Sequence, residues 1–310
     1  MRAWATACAI LILVGCQGCF FTHRVSDKIS RRITGPVGWF QVENTFALGP
    51  DGGATLPPKP SELSEAEEAD YDEGDAIEVR LKARFERAMT PMVVDAETPC
   101  PAITGNMGKP PPGPVYLLVH GIGGAGPEWY PVLALLDRTH PAAMFMFRWQ
   151  MTQDRSTILD TLTPGMNRII ACYPNHPITV LAHSAGGVLM AFEASRLTVG
   201  EHVLVYTVAS PLAGVGYRSA VEEDDDNTRF LNDLGAARKT YSAAAPNVEV
   251  VHLRTSYPAD HVMKPNRFGR PPNQRGVGVE NAREVDLPED IGHDDSLIYV
   301  ARQILAGKKF

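Results

Sequence analysis

From Val115 to the C-terminus, short continuous apolar runs alternate with longer stretches of helical spacing. Val115–His120, Ala143–Trp149, Ile178–His183, Val203–Ala209 and Val248–Thr255 are runs of the first kind, and Arg283–Leu287 is a weaker one. Arg155–Cys172, Ala185–Leu197 and Ser296–Leu305 read as helices between or after them. A strand that is apolar along its whole length needs cover on both faces, and strands joined through helices run parallel. The pattern predicts an α/β fold, a mostly parallel sheet with helices on both faces. Ligands of such sheets bind outside the C-terminal strand ends. With 310 residues, 44% of them hydrophobic, the chain can bury a core of that size. A net charge of −7 argues against a protein that works by neutralising phosphates, so no nucleic-acid partner is expected.

Three motifs fall at the expected strand ends. Ala182-His183-Ser184-Ala185-Gly186-Gly187 joins the strand ending at His183 to a helix. A serine on a tight strand-to-helix turn needs small neighbours, and Ala182 and Gly186 flank Ser184 by two residues on either side. Ala182 stands where such elbows usually carry Gly. A serine at this place could instead be a helix N-cap. His120-Gly121-Ile122-Gly123-Gly124 follows the strand from Val115. Its glycines would let backbone N–H groups face a developing oxyanion, and the expected donors are the N–H groups of Ile122 and Ala185. A phosphate-binding loop is the other reading of those glycines, but no Walker lysine follows. The third motif is the pair Asp260, after the strand ending near Thr255, and His293, before the last helix. A serine hydroxyl needs an imidazole base, and the imidazole needs a carboxylate to fix its tautomer. The chain order Ser184, Asp260, His293 suits this fold. Rival acids are Asp286, Asp290 and the run Glu222–Asp226, the last read as a solvated face. His261 beside Asp260 is a poor base, because neighbours on extended chain point apart. His183 is expected to point into the fold. His120 either orders the loop that follows it or is a buried structural residue.

The pair VHGIGG and AHSAGG resembles small bacterial secreted lipases of the α/β-hydrolase superfamily, in which Ala also replaces the first glycine of the elbow. The resemblance runs from about Val115 to the C-terminus, two thirds of the chain. It implies an α/β-hydrolase fold and a Ser-His-Asp esterase or lipase working on an acyl-ester or lipid substrate, with no metal or organic cofactor. It also implies a small cap inserted at about 212–247, between the fourth and fifth strands. The same triad serves amidases, thioesterases and deacylases, and a non-catalytic lipoprotein could keep the fold for binding. The short HG-x-G loop weakly favours medium or long acyl groups.

The N-terminus bears on location. Arg2 precedes an apolar run from about Ala7 to Val14, too short to span a bilayer as a helix but long enough for a signal-peptide core. It ends in Leu13-Val14-Gly15-Cys16, which resembles a bacterial lipobox. Residues 1–15 are expected to be a lipoprotein signal peptide and Cys16 the lipidated residue. The protein would then be lipid-anchored in a bacterial cell envelope, at the outer membrane or periplasmic face. Cys19, Cys100 and Cys172 remain, and one disulfide among them is possible in an oxidising compartment. Residues 16–113 read as a tether with an acidic spacer at 61–76 and a helix at 76–89, and 114–310 as the hydrolase domain. The basic loop Lys264–Arg275 reads as a surface loop, though it could meet anionic head groups. A monomer is expected.

Overall fold

The β-branched runs become strands because their side chains find cover on both faces. Along β3 (Val115–Val119), Val115, Leu117 and Val119 face one apolar cluster, while Tyr116 and Leu118 face another. Neighbouring β4 (Ala143–Arg148) repeats the alternation, with Phe145 and Phe147 on the first side and Met144 and Met146 on the second. These assignments come from a computed structural model that describes residues 39–43, 90–105, 110–122, 129–149, 155–214, 241–256 and 274–310. The remaining strands are β1 (Trp39–Glu43), β2 (Thr90–Met92), β5 (Ile178–His183), β6 (Val203–Val208), β7 (Val248–Arg254) and β8 (Arg283–Asp286). The helices are α1 (Cys100–Ile103), α2 (Trp129–Asp137), α3 (Arg155–Ala171), α4 (Ala185–Glu193) and α5 (His293–Leu305).

The strands form one sheet in the order β2-β1-β4-β3-β5-β6-β7-β8. From β4 to β8 every pairing is parallel, and β1 is antiparallel to both β4 and β2. Helices α1, α3 and α4 cover one face through residues such as Ile103, Ile158, Leu162 and Val188. Helices α2 and α5 cover the other through Trp129, Leu133, Leu297 and Val300. The predicted fold class is the one observed. The sheet also reaches beyond the boundary expected at 113/114, since β1 and β2 are its antiparallel edge. The described residues all belong to one compact unit.

The order of connections fixes where a site can lie. The chain leaves β3 for β4 on one side through α2, then returns past β3 to β5 through α3. The strand order therefore reverses between β3 and β5, and sheets of this kind bind ligands at the carboxyl ends of two such strands. The loop after β3 and the turn after β5 both emerge there.

Candidate active site

The turn after β5 carries the strain. Ser184 has φ 53° and ψ −123°, a conformation that L-residues other than glycine rarely adopt. Its backbone N–H donates to the Val208 carbonyl at 2.9 Å, and its carbonyl accepts from the Gly187 N–H at 3.0 Å. Both ends of the turn are thus held. The Ser184 side chain makes no capping hydrogen bond to α4, so the N-cap reading does not apply. Gly186 is required sterically. A β-carbon there would lie 2.4 Å from the His120 carbonyl oxygen and 2.5 Å from that of Val119. Ala182, at the usual glycine position, is fully buried in β5 opposite Val119 and fits without any positive φ.

The loop after β3 meets Ser184 backbone to side chain. A β-carbon on Gly121 would fall 2.9 Å from the Ser184 Cβ and 3.5 Å from its Oγ. His120 orders this loop. Its Nε2 lies 3.3 Å from the Trp149 N–H, so Nε2 accepts and Nδ1 carries the proton. Nδ1–H then donates to the Gly121 carbonyl at 2.8 Å. That carbonyl and the Ile122 N–H belong to one planar trans peptide, so the Ile122 N–H points away from the imidazole. The indole of Trp149 stacks on the His120 ring at 5.2 Å between centroids and donates to the His120 carbonyl at 3.0 Å. Burial, aided by the charge of Arg148, lowers the His120 pKa to about 3 and keeps the ring neutral, as this network requires.

His293 opens α5, and its place relative to the elbow is set by His183. The two rings lie 4.5 Å apart between centroids, tilted by 43°. The His183 Nε2 is 3.1 Å from the His293 carbonyl oxygen. His183 is the last residue of β5, so the structure brings His293 beside the residue that immediately precedes Ser184. Ser184 and His293 are 7% and 8% exposed, so both are shielded from bulk water. Ala185 is fully buried as the first residue of α4. Ile122 is half-buried against the α3/α4 side of the core. Of the rival acids, Asp286 ends β8 and is paired with Arg254 at 3.5 Å and with Arg275. Asp290 lies in the turn before α5.

Several sequence expectations fall outside the described residues. These are Cys16 and the signal peptide, the acidic spacer and helix at 61–89, and Asp260 with His261. Gly123 and Gly124, Glu222–Asp226, residues 264–273 and most of the cap fall outside them too. At the cap's far end Tyr241 makes an isolated parallel bridge to Val279. Cys100 and Cys172 form a disulfide, a pairing that the sequence left open.

A six-stranded parallel block with an antiparallel edge carries a strained serine elbow after its third strand in chain order, at the switch point. Gly121, just after the neighbouring strand, lies against that elbow, and a histidine follows the last strand. The fold is that of the α/β-hydrolases. No family model and no curated protein matches the sequence. The chain is similar to solved α/β-hydrolase structures at low identity. Est1E from Butyrivibrio proteoclasticus is 13% identical, with 65% of this chain and 90% of that one covered and a TM-score of 0.40. Carboxylesterase CesB from Bacillus subtilis is 14% identical, with 64% and 84% covered and a TM-score of 0.35. XC6422 from Xanthomonas campestris, an α/β serine hydrolase without a lid, is 12% identical, with 64% and 82% covered and a TM-score of 0.37. At TM-scores this low the strand order and the elbow, and not the likeness, decide the fold.

Proposed function

We propose that this α/β-hydrolase-fold protein is a serine hydrolase that cleaves carboxylic esters through an acyl-enzyme. The observation that carries the reading is the strained, uncapped Ser184 at the switch point, abutted by Gly121. Strain of that kind is expected where a side chain must be presented to a substrate. In the reaction Ser184 Oγ attacks the acyl carbon while His293 takes the hydroxyl proton. The C=O bond opens to an oxyanion, held by the N–H groups of Ile122 and Ala185. His293 returns the proton to the departing alcohol. Water, deprotonated by His293, then attacks the acyl-serine and releases the acid. Asp260 is the carboxylate assigned to orient His293, by its place after β7 and by chain order.

The assigned location is a bacterial envelope, with Cys16 lipidated. The Cys100–Cys172 disulfide supports an oxidising compartment. The assigned substrate is an acyl ester or lipid.

The test is turnover of a p-nitrophenyl acyl series from short to long chains. Wild-type protein should hydrolyse at least one ester, and Ser184→Ala should lower kcat by roughly 10³-fold or more. Undiminished turnover in Ser184→Ala would overturn the assignment.

A further inference from the structure

The hydrolase reading leaves one problem of geometry unaddressed. Nucleophile and base come from elements far apart in sequence, the turn after β5 and the start of α5. Transfer of the serine proton needs those groups placed to within a fraction of an ångström, and a misplacement of about 1 Å can cost on the order of 10²-fold in rate. Something must tie one element to the other.

Two side chains converge on the His293 carbonyl. Ser296 Oγ–H donates to it at 2.7 Å from the same helical turn, and Ser296 is fully buried. That bond is local and closes the first turn of α5 on itself. The second comes from His183, 110 residues away in sequence. A carbonyl oxygen can only accept, so the His183 Nε2 must carry a proton and donate it. The same imidazole packs against the His293 ring at 4.5 Å. His183 thus holds both the backbone and one face of the ring of His293. It is 5% exposed, which leaves little room for another arrangement. Its own backbone is joined covalently to Ser184.

We propose that His183 is a positioning residue that sets the base His293 against the nucleophile Ser184. The inference rests on the hydrolase reading for the roles of those two residues. In this arrangement His183 touches neither substrate nor the transferred proton. It fixes the start of α5 to the end of β5, so the imidazole of His293 is already in place when a substrate arrives. Leu297 and Val300 pack α5 against the sheet, and the His183 bond adds a directional hold on its first residue.

The test compares wild type with His183→Gln, His183→Leu and His183→Asn in the full chain, each checked for folding by thermal melting. The first readout is the rate at which a small fluorophosphonate labels Ser184. The second is the split of ester turnover into kcat and KM. Glutamine keeps an N–H donor near the position of Nε2 and should retain most of the rate. Leucine removes the donor, and the shorter asparagine withdraws it. Both should slow labelling and kcat by roughly 10- to 100-fold, with KM changed less than about 2-fold. Asparagine keeps the test open if the leucine variant does not fold. Folded leucine or asparagine variants that label at the wild-type rate would overturn the positioning role alone. So would glutamine losing as much rate as leucine, since the donor would then not be what matters. A wild-type chain that takes no label would overturn the hydrolase reading and this inference together.

Discussion

His120, His252 and Glu193 are each 2% exposed or less, and burial favours the neutral form of each. His252 accepts the Val279 N–H at Nε2, 3.0 Å away, so Nδ1–H donates to Thr207 Oγ1 at 2.6 Å. Burial, with the charge of Arg254, lowers its pKa from 6.5 to about 4, as burial lowers that of His120 to about 3. Glu193 accepts from Thr163 Oγ at 2.7 Å, and burial raises its pKa from 4.5 to about 7. The histidines contribute stability above pH 6.5 that is lost as pH falls toward 4 and 3, because the unfolded chain then binds protons the folded one refuses. Glu193 acts oppositely. Its contribution is full below pH 4.5 and is lost as pH rises through 7, where a buried carboxyl must ionise. These three groups together place maximal stability near neutral pH. Glu193→Gln, which keeps an acceptor for Thr163, should therefore be more stable than wild type at pH 8, by on the order of 2 kcal/mol, and not at pH 4.5. Urea unfolding at the two pH values measures this, and an equal effect at both would contradict it.

At the scale of elements, the strands from β3 to β7 were legible because each is apolar on both faces. That pattern has few solutions other than a covered parallel sheet. The edge was not legible. β2 is three residues with Pro91 at its centre, tolerable only where a ladder hydrogen bond can be missed. β1 lies alone in a Gly- and Pro-broken stretch. Helix α2 was missed because its sequence, WYPVLALLD, is apolar with no clear period, and Pro131 sits in its first turn. Helix α5 begins three residues before Ser296, at His293, since Gly292 supplies no side-chain cap to mark the start. The disulfide joins α1 to the residue after α3, and Val94 and Ile103 lie buried in the same core cluster as α3. Arg168 of α3 reinforces this by donating to the Thr98 carbonyl. The bond spans 72 residues in sequence, so the chain-entropy account gives it about 4 kcal/mol. Replacing Cys100 and Cys172 together by Ser should lower the urea midpoint accordingly, and an unchanged midpoint would show that the bond does not form in solution.

For the whole molecule, what the sequence could tell depended on how local the signal was. Ser184 could be found because the elbow's small residues are neighbours in the chain, and the required absence of a side chain at Gly186 leaves a direct mark. The loop after β3 was found on the same grounds. The contact of His183 with the His293 carbonyl has no such mark, because it exists only after β5 and α5 are brought together. The same holds for the Cys100–Cys172 pairing and for the engagement of Asp286 by Arg254 and Arg275. The central proposal is that Ser184 is an activated nucleophile with His293 as its base. A serine without a base is inert toward fluorophosphonates, whereas an activated one forms a covalent phosphonyl ester. The direct measurement is mass spectrometry of tryptic peptides after exposing folded protein to fluorophosphonates of several sizes. The account predicts a single adduct on Ser184, absent in His293→Ala. Folded wild-type protein with no adduct on Ser184 from any of the probes would contradict it.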